Sequence, residues 1–142
     1  MTGLDQVPFA FEDFSVNPEP RCACVILADR SASMSGAPIA ALRDGLDTFR
    51  QALREDRLAT KRVEPLLISF GPVEVHGDFA TADRFEVPSL EADGDTPLGE
   101  AVLVAIDRIE KRKAIYQSQL GAGMYFRPWI FLITDGAPTD AW

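Results

Sequence analysis

The chain has 142 residues, which is enough for one domain with a sizeable core. Its formal net charge of -8 argues against nucleic acid as a partner, because phosphate recognition needs clustered Lys and Arg. No apolar stretch approaches the ~20 residues that cross a membrane. The opening "MTGLDQVPFAFEDF" lacks the basic and apolar regions of a secretory signal. These features predict a cytoplasmic protein that does not contact membranes.

The N-terminal residues 1–20 contain three prolines and no sustained periodicity. Their phenylalanines predict an arm that packs on the body of a domain covering residues 21–142. The body opens with the apolar run "CACVILA" (22–28), which is typical of a strand covered on both faces. Cys22 and Cys24 lie two positions apart on this run, which suits buried thiols better than a disulfide.

The next segment has apolar residues at steps of three and four, which predicts an amphipathic helix at 38–55. A second strand is predicted at 63–70, with ladder pairing from about Leu66, because Pro65 has no N–H to donate. The turn Gly71-Pro72 and the following "VEVHGDF" predict an antiparallel hairpin at the edge of a sheet.

A second long helix is predicted to begin at Pro97. Its buried stripe is expected to comprise Leu98, Val102, Ala105, Ile106 and Ile109. The run "WIFLI" (129–133) predicts a third apolar strand, with Trp129 and Phe131 in the core. This order of elements predicts an α/β fold, a Rossmann-like open and mostly parallel sheet with helices on both faces.

Polar residues follow two of the apolar strands. Asp29, Ser31 and Ser33 come directly after the first strand in "DRSAS", and Asp135 follows the last strand. Because parallel strands end at the same edge of a sheet, these residues are expected to meet where ligands bind such folds. Thr96, just before the second long helix, joins them. Hydroxyls and carboxylates without a soft ligand are the donors that Mg²⁺ or Mn²⁺ prefers.

The segment "DRSASMSG" is open to three interpretations: a plain turn, a phosphoryl-transfer loop and a metal-binding loop. Phosphoryl transfer by Asp29 would want a second carboxylate two residues on, where this chain has Ser31. The loop lacks the glycines and Lys of a phosphate-binding loop, and the only histidine, His76, lies on the expected edge hairpin. The metal-binding interpretation fits best, and a metal-dependent phosphohydrolase using Asp29 is the alternative.

Three segments, "DRSAS", "DTPLGEA" and "ITDG", resemble in this order the metal-ion-dependent adhesion site of von Willebrand factor type A (VWA) domains. The longer segments "MSGAPIAALRDGL", "FGPVEV" and "RPWIFLITDGAPTDAW" are most similar to bacterial cytosolic members of the TerY-like (tellurium resistance) group. The resemblance implies that Ser31, Ser33 and Thr96 bind the ion directly. It implies that Asp29 and Asp135 bind the ion through water or alternate between direct and water-mediated binding.

The same resemblance implies a binding module and not an enzyme. In this family the metal completes its coordination with a Glu or Asp of a protein partner, and TerY-like members are associated with kinases and PP2C-type phosphatases in stress responses. VWA domains normally continue beyond the "TDG" strand, so the resemblance also implies either a truncated chain or a natural minimal variant. We therefore expect self-association or partner binding through the strand edge at 129–134, or a separate chain that supplies the missing elements.

Overall fold

The structure, a computed structural model, describes residue 14, residues 16–121 and residues 123–135. Most of the expected N-terminal arm lies outside the described residues. Six residues of that arm, Phe14 and residues 16–20, are described, and the side chain of Phe14 is buried in the core. The packing expected for the rest of the arm stays a prediction.

The described residues form four β-strands and three α-helices. In chain order they are β1 (Cys22–Asp29), α1 (Ala37–Glu55), α2 (Ala59–Arg62), β2 (Val63–Phe70), β3 (Glu74–His76), α3 (Leu98–Gln119) and β4 (Trp129–Ile133). A short 3-10 turn, Ala32–Met34, joins β1 to α1. The two long helices begin within one residue of their predicted starts, whereas β3 is shorter than the predicted strand.

The strands form one sheet in the order β3-β2-β1-β4. The central strand β1 is parallel to both β2 and β4, and β3 is antiparallel to β2 at one edge. This arrangement confirms the predicted mostly parallel sheet with an antiparallel edge hairpin. It also brings the carboxyl ends of β1, β2 and β4 to the same edge of the sheet.

Side chains of β1 alternate between two cores, one on each face of the sheet. Val25 and Leu27 pack with residues of α3, whereas Ile26 and Ala28 pack with residues of α1. The sheet therefore lies between two helical layers, as the fully apolar pattern of β1 predicts.

The pairing of β2 differs from the prediction. It starts at Val63, and Pro65 lies opposite Cys24 inside the ladder. At this level β2 has a strand on one side only, since β3 pairs with residues 67–69. A proline can occupy such a position because its missing N–H can face the open side.

The buried stripe of α3 is rotated relative to the predicted one. Ile106 is 47% exposed, and the residues that pack on the sheet are Leu98, Ala101, Ala105, Ile109 and Tyr116. Ala101 and Ala105 are both fully buried, so small side chains form part of the contact between this helix and the sheet.

The exposure of β4 corrects a second expectation. Trp129 is 57% exposed and Phe131 is 47% exposed, although both were predicted to lie in the core. Among the described residues, β4 has β1 as its one hydrogen-bonded neighbour, so the strand forms an edge of the sheet. The apolar composition predicted the strand correctly but could not specify what covers it.

The amino-terminal end of the sheet holds a buried polar network. The Glu64 carboxylate accepts hydrogen bonds from the guanidinium groups of Arg21 (3.0 Å) and Arg112 (2.9 Å) and from the Tyr116 hydroxyl. Both guanidinium groups also lie against the ring of Phe14, 4.8 and 5.4 Å from its centre. These contacts tie α3 to the starts of β1 and β2, at the end of the sheet opposite to the predicted site.

The two cysteines and the histidine of the chain lie on strands of the sheet. The thiols of Cys22 and Cys24 are both free, and burial raises the pKa of Cys24 to about 12. His76 lies on β3, half-buried, and its Nε2 is 2.7 Å from the Ser69 hydroxyl of β2. None of the helices among the described residues combines the length and apolar character needed to cross a membrane.

Candidate metal centre

The last residue of β1, Asp29, links two loops at the carboxyl edge of the sheet. Its side chain is fully buried. One carboxylate oxygen, Oδ1, accepts the backbone N–H of Ser31 at 2.8 Å, and the other, Oδ2, accepts the hydroxyl of Thr134 at 2.7 Å. Asp29 therefore fixes the loop after β1 and the loop after β4 relative to each other.

A chain of side-chain oxygens runs outward from this point. The hydroxyls of Ser31 and Ser33 are 3.1 Å apart, and the Ser33 hydroxyl donates to Asp135 Oδ1 at 2.9 Å. Ser31 is buried, whereas Ser33 and Asp135 are exposed, so the chain leads from the interior to the surface. The structure thus brings together four of the five residues that the sequence predicts as a site.

The fifth residue, Thr96, is carried by a loop that is hydrogen-bonded to the loop after β1. The Asp93 N–H donates to the Arg30 carbonyl at 2.6 Å, and the Ala32 N–H donates to the Gly94 carbonyl at 3.0 Å. Thr96 is buried and lies two residues beyond this contact. These backbone bonds place Thr96 at the same edge of the sheet as the other four residues.

Two glycines allow the third loop to approach this closely. Gly71 has a φ of +125°, and a Cβ atom on it would lie 2.8 Å from the carbonyl oxygens of both Asp93 and Asp95. Gly94 has a φ of +78°, and a Cβ there would lie 2.5 Å from the Gly71 oxygen. The sequence predicted Gly71 only as a turn residue and did not single out Gly94. Their contact joins residues that are distant in the chain, so no local pattern indicates it.

The electrostatics of Asp29 favour the carboxylate form. Burial alone would raise its pKa, but hydrogen bonds from Ser31, from Thr134 and from the backbone together hold that pKa below its usual value. The buried group is therefore negatively charged at neutral pH. Its charge lies next to the hydroxyls of Ser31 and Ser33, where it favours a cation.

The donors present match one class of metal. No three side chains of His, Cys, Asp or Glu cluster within the described ranges in a way that could hold a metal ion. A cation at this edge would therefore rely on Ser and Thr hydroxyls beside two carboxylates, all of them hard oxygen donors. This set fits Mg²⁺ or Mn²⁺ and does not fit a thiophilic ion.

Arg30, within the "DRSAS" segment, is held away from the oxygen chain. Its guanidinium donates to the Glu91 carbonyl at 3.1 Å and contacts the Glu74 carboxylate at 3.5 Å. The negative charge of Asp29 and Asp135 is thus not neutralised by this neighbouring arginine.

The contact between the two glycines predicts a specific effect of Gly71→Ala. The substitution should destabilise the fold more than Gly77→Ala, by ~1–3 kcal/mol in the free energy of unfolding, because a Cβ at position 71 would meet backbone atoms and a Cβ at position 77 would not. Gly77 is the matched control, since it has a φ of +84° with nothing within 4 Å. Urea denaturation measures both variants, and equal losses would show that the close approach contributes nothing.

Comparison with solved structures supports the fold described above. No family model matches the chain, and no curated protein matches it. Among solved structures, the chain is similar to the ArnB paralog VWA2 from Sulfolobus acidocaldarius, with a TM-score of 0.57 and 18% sequence identity. The match covers 86% of this chain but only 29% of that protein. At this identity the likeness establishes the fold, and the fold predicted from the sequence is confirmed as VWA-like.

Proposed function

We propose that this chain is a protein-interaction module that depends on a divalent cation, Mg²⁺ or Mn²⁺. The observation that carries the proposal is the chain of hydrogen-bonded oxygens formed by Ser31, Ser33 and Asp135 beside the buried Asp29. These residues come from two loops that are far apart in the sequence, and a third loop delivers Thr96 to the same edge. A plain turn would not require three loops to converge on hydroxyls and carboxylates.

The roles we assign follow from how each oxygen is engaged. Ser31, Ser33 and Thr96 would supply direct ligands. Both oxygens of Asp29 already accept hydrogen bonds from Ser31 and Thr134, which supports an indirect role in which this carboxylate orients the loop and holds water. Asp135 would bind through water or directly. A bound cation would supply positive charge at a surface that is otherwise acidic.

The proposed ligand is a carboxylate from a protein partner. Three neutral hydroxyls compensate little of the charge of a divalent cation, so an external Glu or Asp would complete its coordination. The net charge of -8 repels acidic surfaces at long range, so an acidic partner would bind here only through the cation. The interaction would therefore be switched by the metal.

The chemistry of Asp29 supports binding over catalysis. A phosphohydrolase would need this carboxylate to be free as a nucleophile, yet it is fully buried and both of its oxygens are hydrogen-bonded. The residue two positions on is Ser31, which cannot act as a carboxylic acid. His76 is paired with Ser69 on the edge hairpin. We therefore propose that the chain is not an enzyme.

A finer assignment is also proposed, to the bacterial, cytoplasmic TerY-like group associated with tellurium resistance. It is supported by the resemblance of the three site segments and the longer segments around them. In that case the partner would be a kinase or a PP2C-type phosphatase in a stress-response complex.

The first prediction concerns the cation. Calorimetric titration of the chain with Mg²⁺ should reveal one site, and Ser33→Ala or Asp135→Asn should raise its dissociation constant by at least about tenfold, because each removes an oxygen donor or the charge near it. Ser35→Ala is the matched control: Ser35 lies in the same loop, but its hydroxyl donates to the Ala32 carbonyl at 2.8 Å. Affinity that is unchanged in both site variants would exclude the site.

The second prediction concerns recognition. The immobilised chain should retain partner proteins from a cell extract in the presence of Mg²⁺. It should not retain them in EDTA or when it carries Thr96→Ala, whereas the Ser35→Ala variant should still retain them. Replacing the single partner Glu or Asp at the contact should weaken binding by ~2–5 kcal/mol, which is about 30-fold or more. An interaction that survives both EDTA and Thr96→Ala would show that the metal does not mediate recognition.

A further inference from the structure

Arg30 is bonded to two segments that flank the predicted cation site. Through its main chain, its N–H donates to the Phe70 carbonyl at 3.0 Å, and its carbonyl accepts the Asp93 N–H at 2.6 Å. Through its side chain, the guanidinium donates to the Glu91 carbonyl at 3.1 Å and contacts the Glu74 carboxylate at 3.5 Å. One residue of the loop after β1 therefore binds both the β2–β3 hairpin and the loop that precedes α3.

The Arg30 side chain is largely enclosed by these contacts. It is 14% exposed, whereas the Glu74 side chain is 57% exposed. Its Nε is buried and meets no acceptor within the described ranges, so the two terminal nitrogens carry its hydrogen bonds. The shorter bond, to the Glu91 carbonyl, contributes more than the ion pair with Glu74, because an exposed ion pair adds little. An enclosed guanidinium of this kind suits a role inside the framework of the site better than contact with a partner.

The segment 91–96, which leads to Thr96, contains no helix or strand of its own. Its position therefore depends on its bonds to neighbouring loops. The Arg30 guanidinium binds the start of the segment at Glu91, and the backbone bonds of Asp93 and Gly94 hold its middle. Thr96 follows two residues after Gly94, just before α3 begins. A shift at the start of the segment would thus reach Thr96 over a short length of chain.

We propose that Arg30 is a positioning residue of the cation site, whose guanidinium holds the segment 91–96 so that the Thr96 hydroxyl can reach the cation. This role rests on the cation-dependent function proposed above. Arg30 would bind neither the cation nor the partner, because its guanidinium is held away from the oxygens of Ser33 and Asp135 by Glu91 and the hairpin.

The charge of Arg30 and its bonds predict opposite effects of Arg30→Ala. Loss of a positive charge near the site would by itself tighten the binding of a divalent cation, because like charges repel each other. Loss of the bond to Glu91 would loosen the loop that carries Thr96 and would weaken cation binding. Removal of a group that orients metal ligands typically lowers metal affinity by about 10–100-fold, so we expect the second effect to dominate.

A double-mutant cycle between Arg30 and Thr96 tests this role with Mn²⁺ alone as the probe. Electron paramagnetic resonance measures the unbound Mn²⁺ and so gives dissociation constants for weak sites. Arg30→Ala should raise the dissociation constant about tenfold in the otherwise unaltered chain. In a Thr96→Ala background it should change that constant by less than about twofold, because the loop then has no ligand to position. In a Ser33→Ala background the full effect should remain, because Ser33 lies on the other loop.

Two further variants separate charge from geometry. Lys111→Ala removes the same charge from the second half of α3, where the ammonium is 71% exposed and 3.0 Å from the Asp107 carboxylate, and should leave the Mn²⁺ affinity unchanged. Arg30→Lys keeps the charge, but all of its donors lie on one atom, so it cannot bond to Glu91 and Glu74 as the guanidinium does. It should therefore weaken Mn²⁺ binding in the same direction as Arg30→Ala.

Hydrogen exchange supplies a readout that needs no cation. The Asp93 amide bonds to the Arg30 carbonyl, in the segment that the guanidinium holds. In Arg30→Ala this amide should exchange about tenfold faster, because the segment opens more often. Amides in the interior of β2 should exchange as in the unaltered chain, which would show that the variant is folded.

Three results would overturn the proposal. Mn²⁺ binding that is unchanged or tighter in Arg30→Ala would show that the bonds of the guanidinium do not support the site. An equal effect of Arg30→Ala with and without Thr96→Ala would show that Arg30 does not act through Thr96. Unchanged exchange at Asp93 would show that the guanidinium does not hold the segment. If the unaltered chain binds no Mn²⁺, the proposed function itself fails, and the positioning role fails with it.

Discussion

The arrangement of the site depends on one buried carboxylate. Asp29 ends the central strand, and its two oxygens accept hydrogen bonds from the loop after β1 and the loop after β4. A buried charge is costly unless it is paired or fully hydrogen-bonded, so these bonds are needed to keep Asp29 ionised in the interior. The same bonds orient the Ser31 and Ser33 hydroxyls. Loop geometry and local negative charge therefore have a common origin.

The other two constraints act from different parts of the fold. The close approach of Gly71 and Gly94 brings the loop that carries Thr96 against the loop after β1. At the opposite end of the sheet, the Glu64 network joins α3 to the starts of β1 and β2. One end of the sheet is thus held by buried ion pairs, which leaves the carboxyl end to present polar groups to a ligand.

Much of this architecture was predictable because it follows from local patterns. The periodic apolar residues of α1 and α3 and the apolar runs of β1 and β4 predict these helices and strands, and the carboxyl ends of parallel strands define where a site forms. The five site residues followed from the same reasoning. Their convergence is a property of the fold, whereas their role as ligands stays a prediction.

The features that sequence reasoning missed depend on neighbours distant in the chain. The exposure of Trp129 and Phe131 depends on which strand lies beside β4, and an apolar side chain does not encode that information. The tolerance of Pro65 in the ladder depends on the short extent of β3. The contact between Gly71 and Gly94 joins two loops that are separated by 22 intervening residues. Each of these features is set by tertiary contacts, so local propensity gives no signal for it.

If three loops bind a single cation, paramagnetic broadening by Mn²⁺ should affect residues of all three loops together. In a nuclear magnetic resonance titration with substoichiometric Mn²⁺, the amide signals of Ser31, Ser33, Thr96 and Asp135 should broaden first. The signals around Glu64, at the other end of the sheet, should stay sharp, and excess Mg²⁺ should reverse the effect. Broadening that is spread over the acidic surface, or that spares Thr96 while affecting the other loops, would show that the three loops do not share one cation site.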